Sequence, residues 1–142
     1  MTLLDLLLST AEDLELVKLL LIAGGGAVGA VSRCYLAGWT QTLAGGTFPL
    51  GTLAVNVLGC LLIGILGAFF GGPHLVRQEH RLLLMIGLLG GFTTFSTFGL
   101  ETVALINEGQ SARAGLNVLL SNGLGLPAVW IGYRTTQWML GV

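Results

Sequence analysis

An apolar run that begins at Leu82 and is long enough to cross a membrane is broken near its middle by Gly90–Phe98 (GGFTTFSTF), with Glu101 just beyond. Gly, Thr, Ser and Phe are mediocre or poor helix formers, and the stretch holds little else. Gly90 and Gly91 are expected to loosen the backbone at this point. Irregular backbone at membrane depth persists only where protein or a water-filled cavity covers its free amides and carbonyls. The stretch must therefore be walled in by neighbouring helices, and a polar insert so placed reads as a site rather than a lipid-facing surface.

The rest of the chain fits that setting. Of its 142 residues 54% are apolar and 9% charged, whereas charged residues make up about 25% of a soluble domain. This deficit, with the long apolar runs, indicates an integral membrane protein. The 23 glycines suit helices that pack closely in lipid. A formal net charge of −1 offers nothing to nucleic acid. Cys34 and Cys60 lie in apolar runs without His at ligand spacing and are read as packing residues. No phosphate loop, nucleophile–base pair or Cys/His cluster is present, so enzymatic chemistry has no visible basis. Four spans leave no room for an energy-coupling module; passive transport or a structural role remains.

Four spans follow in order, as one membrane domain over residues 1–142: about residues 16–43, 50–70, 82–107 and 113–138. Met1–Leu8 lacks the basic leader of a cleaved signal, and Ser9 with Glu12 makes a capping box that predicts a helix start near Thr10. In the first span Gly24, Gly25, Gly26 and Gly29 give small-xxx-small spacings for close helix contact. Arg33 either snorkels to the headgroups or lends positive potential to an anion vestibule. Ala44–Pro49 is a turn. The second span, roughly 31 Å as a helix, carries Thr52 and Asn56 one turn apart on one face. An isolated Asn either clamps two helices or offers its amide to a pathway. Gly71–Arg81, with Pro73, His74, Arg77, Glu79 and His80, reads as a solvated loop.

In the third span Phe92, Phe95 and Phe98 recur every three residues along one side. The hydroxyls of Thr93, Thr94, Ser96 and Thr97 flank them, which plain packing does not require. Glu101 is a site candidate as an intramembrane carboxylate. Asn107–Ala112 is the next turn. The fourth span holds Asn117 and Ser121 on one face, a kink expected at Pro127, and an aromatic belt in Trp130, Tyr133 and Trp138.

The GGFTTFSTF motif with Glu101 resembles the third helix of the CrcB-type (Fluc) fluoride channels. Gly24–Arg33 (GGGAVGAVSR), Gly46–Gly59 (GTFPLGTLAVNVLG) and the Ser-containing last helix resemble the same family, in its order, over about residues 20–138. The resemblance implies a fluoride-selective channel of the inner (plasma) membrane that relieves fluoride toxicity by passive export. It also implies an all-α fold of four transmembrane helices, the third of them broken, assembled as an antiparallel dual-topology homodimer with a central sodium ion. Mapped residue by residue, Phe95 and Phe98 line the fluoride pore and Thr52, Asn56, Thr97 and Ser121 supply donors. Glu101 lies along an outer polar track and Arg33 near a vestibule. The backbone carbonyls of Gly90 and Thr93 from each subunit would hold the sodium. Asn117 departs from the family, where a tyrosine often stands.

The chemistry is consistent with that assignment. Fluoride is small and tightly hydrated, so a pore for it must replace water with hydrogen-bond donors. Hydroxyls and amides donate without a full charge that would trap the ion. Phenyl edges carry partial positive charge, so they can touch an anion that the ring face repels. A small multidrug exporter, the main rival, needs a carboxylate buried in its first helix; this first span has Arg33 and no acid past Glu15. A non-transporting assembly subunit is the other alternative. Lys18, Arg77, Arg81 and Arg134 fall on one side of the membrane against Arg33 and Arg113 on the other. So weak a bias suits insertion in both orientations.

Overall fold

The computed structural model describes residues 3–72 and 77–141, with side chains from Leu14 onward. Its elements are α1 (Leu3–Ala44), α2 (Leu50–Gly71), α3 (Gln78–Arg81), a π-helical segment π1 (Leu82–Leu89), α4 (Gly90–Phe92), α5 (Phe95–Asn107) and α6 (Ser111–Leu140). Four stretches are long and apolar enough to cross a membrane: Leu14–Ala44, Leu50–Gly71, Gln78–Asn107 and Ser111–Leu140. The chain is a multi-pass membrane protein whose third span is broken.

Two local expectations change. Helix α1 starts at Leu3 rather than near Thr10, which places Ser9 and Glu12 inside the helix instead of at its cap. The leucine-rich start holds no Gly or Pro, so nothing stops the helix from extending through it. The loop expected over Gly71–Arg81 is shorter, because helix resumes at Gln78; Pro73 and His74 lie outside the described residues. Helix α6 continues through Pro127.

The break itself falls elsewhere than the glycines suggested. Gly90 is helical, with φ −62 and ψ −38, and Gly91 lies within α4. The extended residues are Thr93 (φ −84, ψ 156) and Thr94 (φ −150, ψ 108). Both conformations suit a β-branched side chain and need no glycine. The glycines serve contact instead. A Cβ on Gly91 would come within 2.5 Å of Gly26 O, and one on Gly87 within 2.8 Å of Ile22 O. On α1, Cβ atoms on Gly25 and Gly29 would collide with Leu83 O and Leu88 O. Thus α1 lies backbone to backbone against π1 and α4. The wider winding of π1 runs straight into the break, and such segments frequently accompany functional sites.

Elsewhere α2 packs along α6 by the same device, with Gly64 against Val129 O and Gly132 against Leu61 O. Val55, Leu89 and Phe92 form the buried core between these pairs, with Leu36, Leu62 and Ile63 around it. Gln41 secures the α1–α2 turn: its Nε2 donates to Gly46 O (2.7 Å) and Phe48 O (3.0 Å), and its Oε1 accepts from Gly51 N at 3.0 Å. Large apolar side chains such as Leu19, Leu20, Leu100, Leu119, Leu126 and Trp130 stay exposed, as lipid allows.

Candidate functional site

Asn56 is the residue that holds the break open. Its Nδ2 donates to Thr94 O at 3.0 Å and its Oδ1 accepts from Thr94 N at 2.9 Å, so one side chain satisfies both polar main-chain groups of an extended residue. This is the clamping role, directed at backbone rather than at a second side chain. One of the two Nδ2 hydrogens remains uncommitted. Thr94 acts as the N-cap of α5: its Oγ1 accepts from Thr97 N at 3.2 Å and donates to Thr97 Oγ1 at 2.8 Å.

These bonds have a second effect. In an unbroken helix Thr94 N would bond Gly90 O and Thr97 N would bond Thr93 O. Here Asn56 Oδ1 takes the first N–H and Thr94 Oγ1 takes the second. Among the described residues neither carbonyl receives a main-chain N–H in exchange. Gly90 is also exposed. The two carbonyls named from sequence are thus left free at the break, the hard oxygen donors that a sodium ion takes.

Two cavities take part of their lining from α2 and α5. The first, of about 390 Å³, is lined by Asn56, Gly90, Thr93, Thr94, Phe95, Phe98 and Ser121 among others, with Cys60 and Asn122 at its wall. Ser121 Oγ is buried there without a hydrogen-bond partner among the described residues. Phe98 is buried, while Phe95 is 83% exposed, its ring 5.5 Å from that of Phe98 between centroids. The second cavity, of about 440 Å³, is lined by Gln41, Thr47, Thr52, Glu101 and Glu108 among others. Thr52 Oγ1 donates to Glu101 Oε1 at 2.7 Å, while Glu101 Oε2 is buried and unpartnered among the described residues. Thr52 stands one turn from Asn56 on α2, and Glu101 one turn from Phe98 on α5.

The sequence-predicted residues therefore divide. Phe95, Phe98, Asn56, Ser121, Gly90 and Thr93 share the first cavity, and Thr52 and Glu101 share the second. Thr97 lines neither, and its Oγ1 accepts from Thr94 Oγ1. Arg33, half-buried on α1, lines neither in the single chain. Thr94 and Arg113 gain from the structure a place at the site that their sequence positions do not assign. Arg113 Nη1 donates to Thr47 Oγ1 at 2.8 Å at the edge of the second cavity, placing a cation there. Both depend on partners distant in the chain. Glu15, the only carboxylate of the Leu14–Ala44 span, is exposed and paired with Lys18 at 2.6 Å. That leaves the first span without the buried acid a proton-coupled exporter needs.

Known proteins are similar to this sequence across most of its length. Residues 20–133 match the family described as CrcB-like protein, Camphor Resistance (CrcB). A Geobacter sulfurreducens protein named "Fluoride-specific ion channel FluC" is 51% identical over 122 residues, covering 86% of this chain and 98% of that one. A protein of the same name from Rhizobium leguminosarum is 44% identical over 117 residues, covering 82% and 94%. One from Methylocella silvestris is 45% identical over 111 residues, covering 77% and 85%. The broken third span, the shared cavity at the break and these matches agree: the chain belongs to the CrcB-like family.

Proposed function

We propose that this chain is a fluoride-selective channel that lets fluoride leave the cell passively across the plasma membrane and so relieves fluoride toxicity. The observation that carries the reading is the buried, uncommitted Ser121 hydroxyl in the cavity that Phe98 and Asn56 also line. A hydroxyl free to donate, a remaining amide hydrogen and phenyl edges can together replace fluoride's water without fixing it by a full charge. The name borne by the relatives supports the same ion. Along the second cavity Thr52 orients Glu101, and Arg113 at the edge attracts anions toward it. Thr52 is then a positioning residue, since its hydroxyl proton points at the carboxylate. Arg33 stays assigned to a vestibule completed by a partner.

The exposed Phe95 ring supports assembly, because a single chain leaves one side of the first cavity's aromatic wall uncovered. In the proposed arrangement an identical chain, inserted in the opposite orientation, covers it. The free carbonyls of Gly90 and Thr93 in each subunit would hold a sodium ion. When bound, that ion supplies fixed positive charge near a path whose own donors are neutral. Membrane lipid covers the remaining apolar faces.

Two measurements test this. Purified protein in liposomes should release fluoride without a proton gradient, and chloride far more slowly. Phe98→Ile keeps bulk but removes the ring edge, and fluoride efflux should drop by about tenfold or more, at about 1.4 kcal/mol per factor of ten. Phe95→Ile should show a smaller loss. Unchanged efflux in both variants would refute the aromatic lining. For topology, Gln78→Cys in a chain freed of Cys34 and Cys60 should be labelled by an impermeant thiol reagent on intact cells to about half completion. Complete protection or complete labelling would mean one fixed orientation and would defeat the antiparallel homodimer.

A further inference from the structure

Asn117 is the most deeply buried polar residue of the described chain, at 1% exposure, yet it lines neither cavity. Burying an amide among helices costs free energy unless its hydrogen bonds are made. Asn117 Nδ2 donates to Thr102 Oγ1 at 2.9 Å, and Thr102 Oγ1 in turn donates to Phe98 O at 2.7 Å. A relay of two bonds therefore runs from α6 across to α5 and ends on the main chain of the residue whose ring walls the first cavity.

The spacing on both helices gives this relay its meaning. Helices α5 and α6 are antiparallel neighbours joined by the short turn Glu108–Gln110. On α6, Ser121 stands one turn beyond Asn117; on α5, Phe98 stands one turn before Thr102. The hydrogen-bonded pair Asn117–Thr102 thus lies one turn from the Ser121–Phe98 pair that lines the cavity. In the other direction the next turn of each helix presents a buried apolar residue, Leu105 or Ala114, which has no side-chain donor for a directional bond. Among the described residues no other side-chain hydrogen bond joins α5 to α6.

On these grounds, and resting on the fluoride-channel reading above, we infer that Asn117 is a positioning residue that fixes the gap between the Phe98 ring and the Ser121 hydroxyl, and so sets discrimination between fluoride and larger halides. Fluoride and chloride differ in radius by a fraction of an ångström, so a hydroxyl and a ring edge select the smaller ion only if their separation is held. Asn117 does this without touching the ion. Thr102 carries the constraint to Phe98 through its single hydroxyl, which accepts from one helix and donates to its own. Between α5 and α6, which otherwise meet without a side-chain hydrogen bond among the described residues, this is the directional restraint between the two walls.

The test uses the full-length protein reconstituted in liposomes. Asn117→Leu and Thr102→Val, both of the same branched shape as the native side chain, each break the relay. Each should lower the fluoride-to-chloride efflux ratio by about tenfold, the equilibrium equivalent of one strong interhelical hydrogen bond. The double variant should lose no more than either single one, because both remove the same relay, and Thr102→Ser should restore the wild-type ratio. Unaltered ratios in folded single variants, an additive double variant, or a Thr102→Ser protein as poor as Thr102→Val would each overturn the inference. Cys60, in the wall of the first cavity, gives a readout that does not depend on transport. In a Cys34→Ala background its labelling by a small thiol reagent should quicken several-fold in Asn117→Leu and Thr102→Val but not in Thr102→Ser. Wild-type protein without fluoride efflux would refute the channel reading itself. The Cys60 rates would then still decide the relay: unchanged rates overturn it, and the expected pattern upholds it.

Discussion

Asn56→Leu is expected to lower fluoride efflux by about a hundredfold while leaving the protein able to insert. The variant keeps the branched shape of the side chain and removes both of its bonds to Thr94. Leaving the Thr94 N–H and C=O without partners at membrane depth costs about 1 to 3 kcal/mol each. The chain has a cheaper alternative. If Thr93 and Thr94 both turn from extended to helical, Thr94 N reaches Gly90 O and the third span heals into a continuous helix. At about 1.4 kcal/mol for each of the two lost bonds, the open break falls about a hundredfold in population. Healing also occupies the Gly90 carbonyl, which in the broken form is free. Wild-type protein should therefore melt at a higher temperature in sodium than in N-methylglucamine, and Asn56→Leu should melt alike in both. Asn56→Asp retains an acceptor for Thr94 N but sets a carboxylate oxygen against Thr94 O, so its efflux should fall between the two. If Asn56→Leu conducts within about threefold of wild type, or keeps its sodium-dependent melting, the break does not depend on this clamp.

Gly29→Ala should be nearly as damaging, by a different route. The added methyl would occupy the space of Leu88 O, with Phe92 N at 2.9 Å and Leu88 C at 3.0 Å. All three are main-chain atoms, so no side-chain rotation makes room; α1 must part from π1 and α4. Overpacking typically costs about 1 to 3 kcal/mol, and an unyielding backbone clash falls at the upper end. That is a large share of a stability of roughly 5 to 15 kcal/mol. Because α1 covers the segment that leads into the break, parting also exposes the irregular backbone. Gly24→Ala, five residues earlier on another face of the same helix, is the control. Nothing lies within 4 Å of its Cβ position, and Ala favours helix over Gly by about 1 kcal/mol. The expected outcome is a poorly folded Gly29→Ala protein by size exclusion and thermal melting beside a normal Gly24→Ala protein. Equal stability of the two would show that the α1 contact with the third span yields freely.

What sequence alone determines here is what depends on local composition. Four spans follow from runs of apolar residues, because the bilayer acts on each segment separately. A break somewhere within Gly90–Phe98 follows from a cluster of residues that stabilise helix poorly, and the motif around Phe95 and Phe98 is legible as a pattern. Residues far apart in the chain settle the rest. Asn56 meets Thr94 across 38 positions and Thr52 meets Glu101 across 49. Nothing in the composition of either helix says which acceptor a hydroxyl or amide will find. For that reason Asn56 reads from sequence as either clamp or donor, and only packing gives it the Thr94 backbone. Likewise Gly90 and Gly91 look like the cause of the break until α1 is seen lying against Gly91 and the extended conformation is found on two threonines. A glycine's freedom of φ and its lack of a side chain are indistinguishable in sequence. Only the tertiary structure decides which of the two a given position uses.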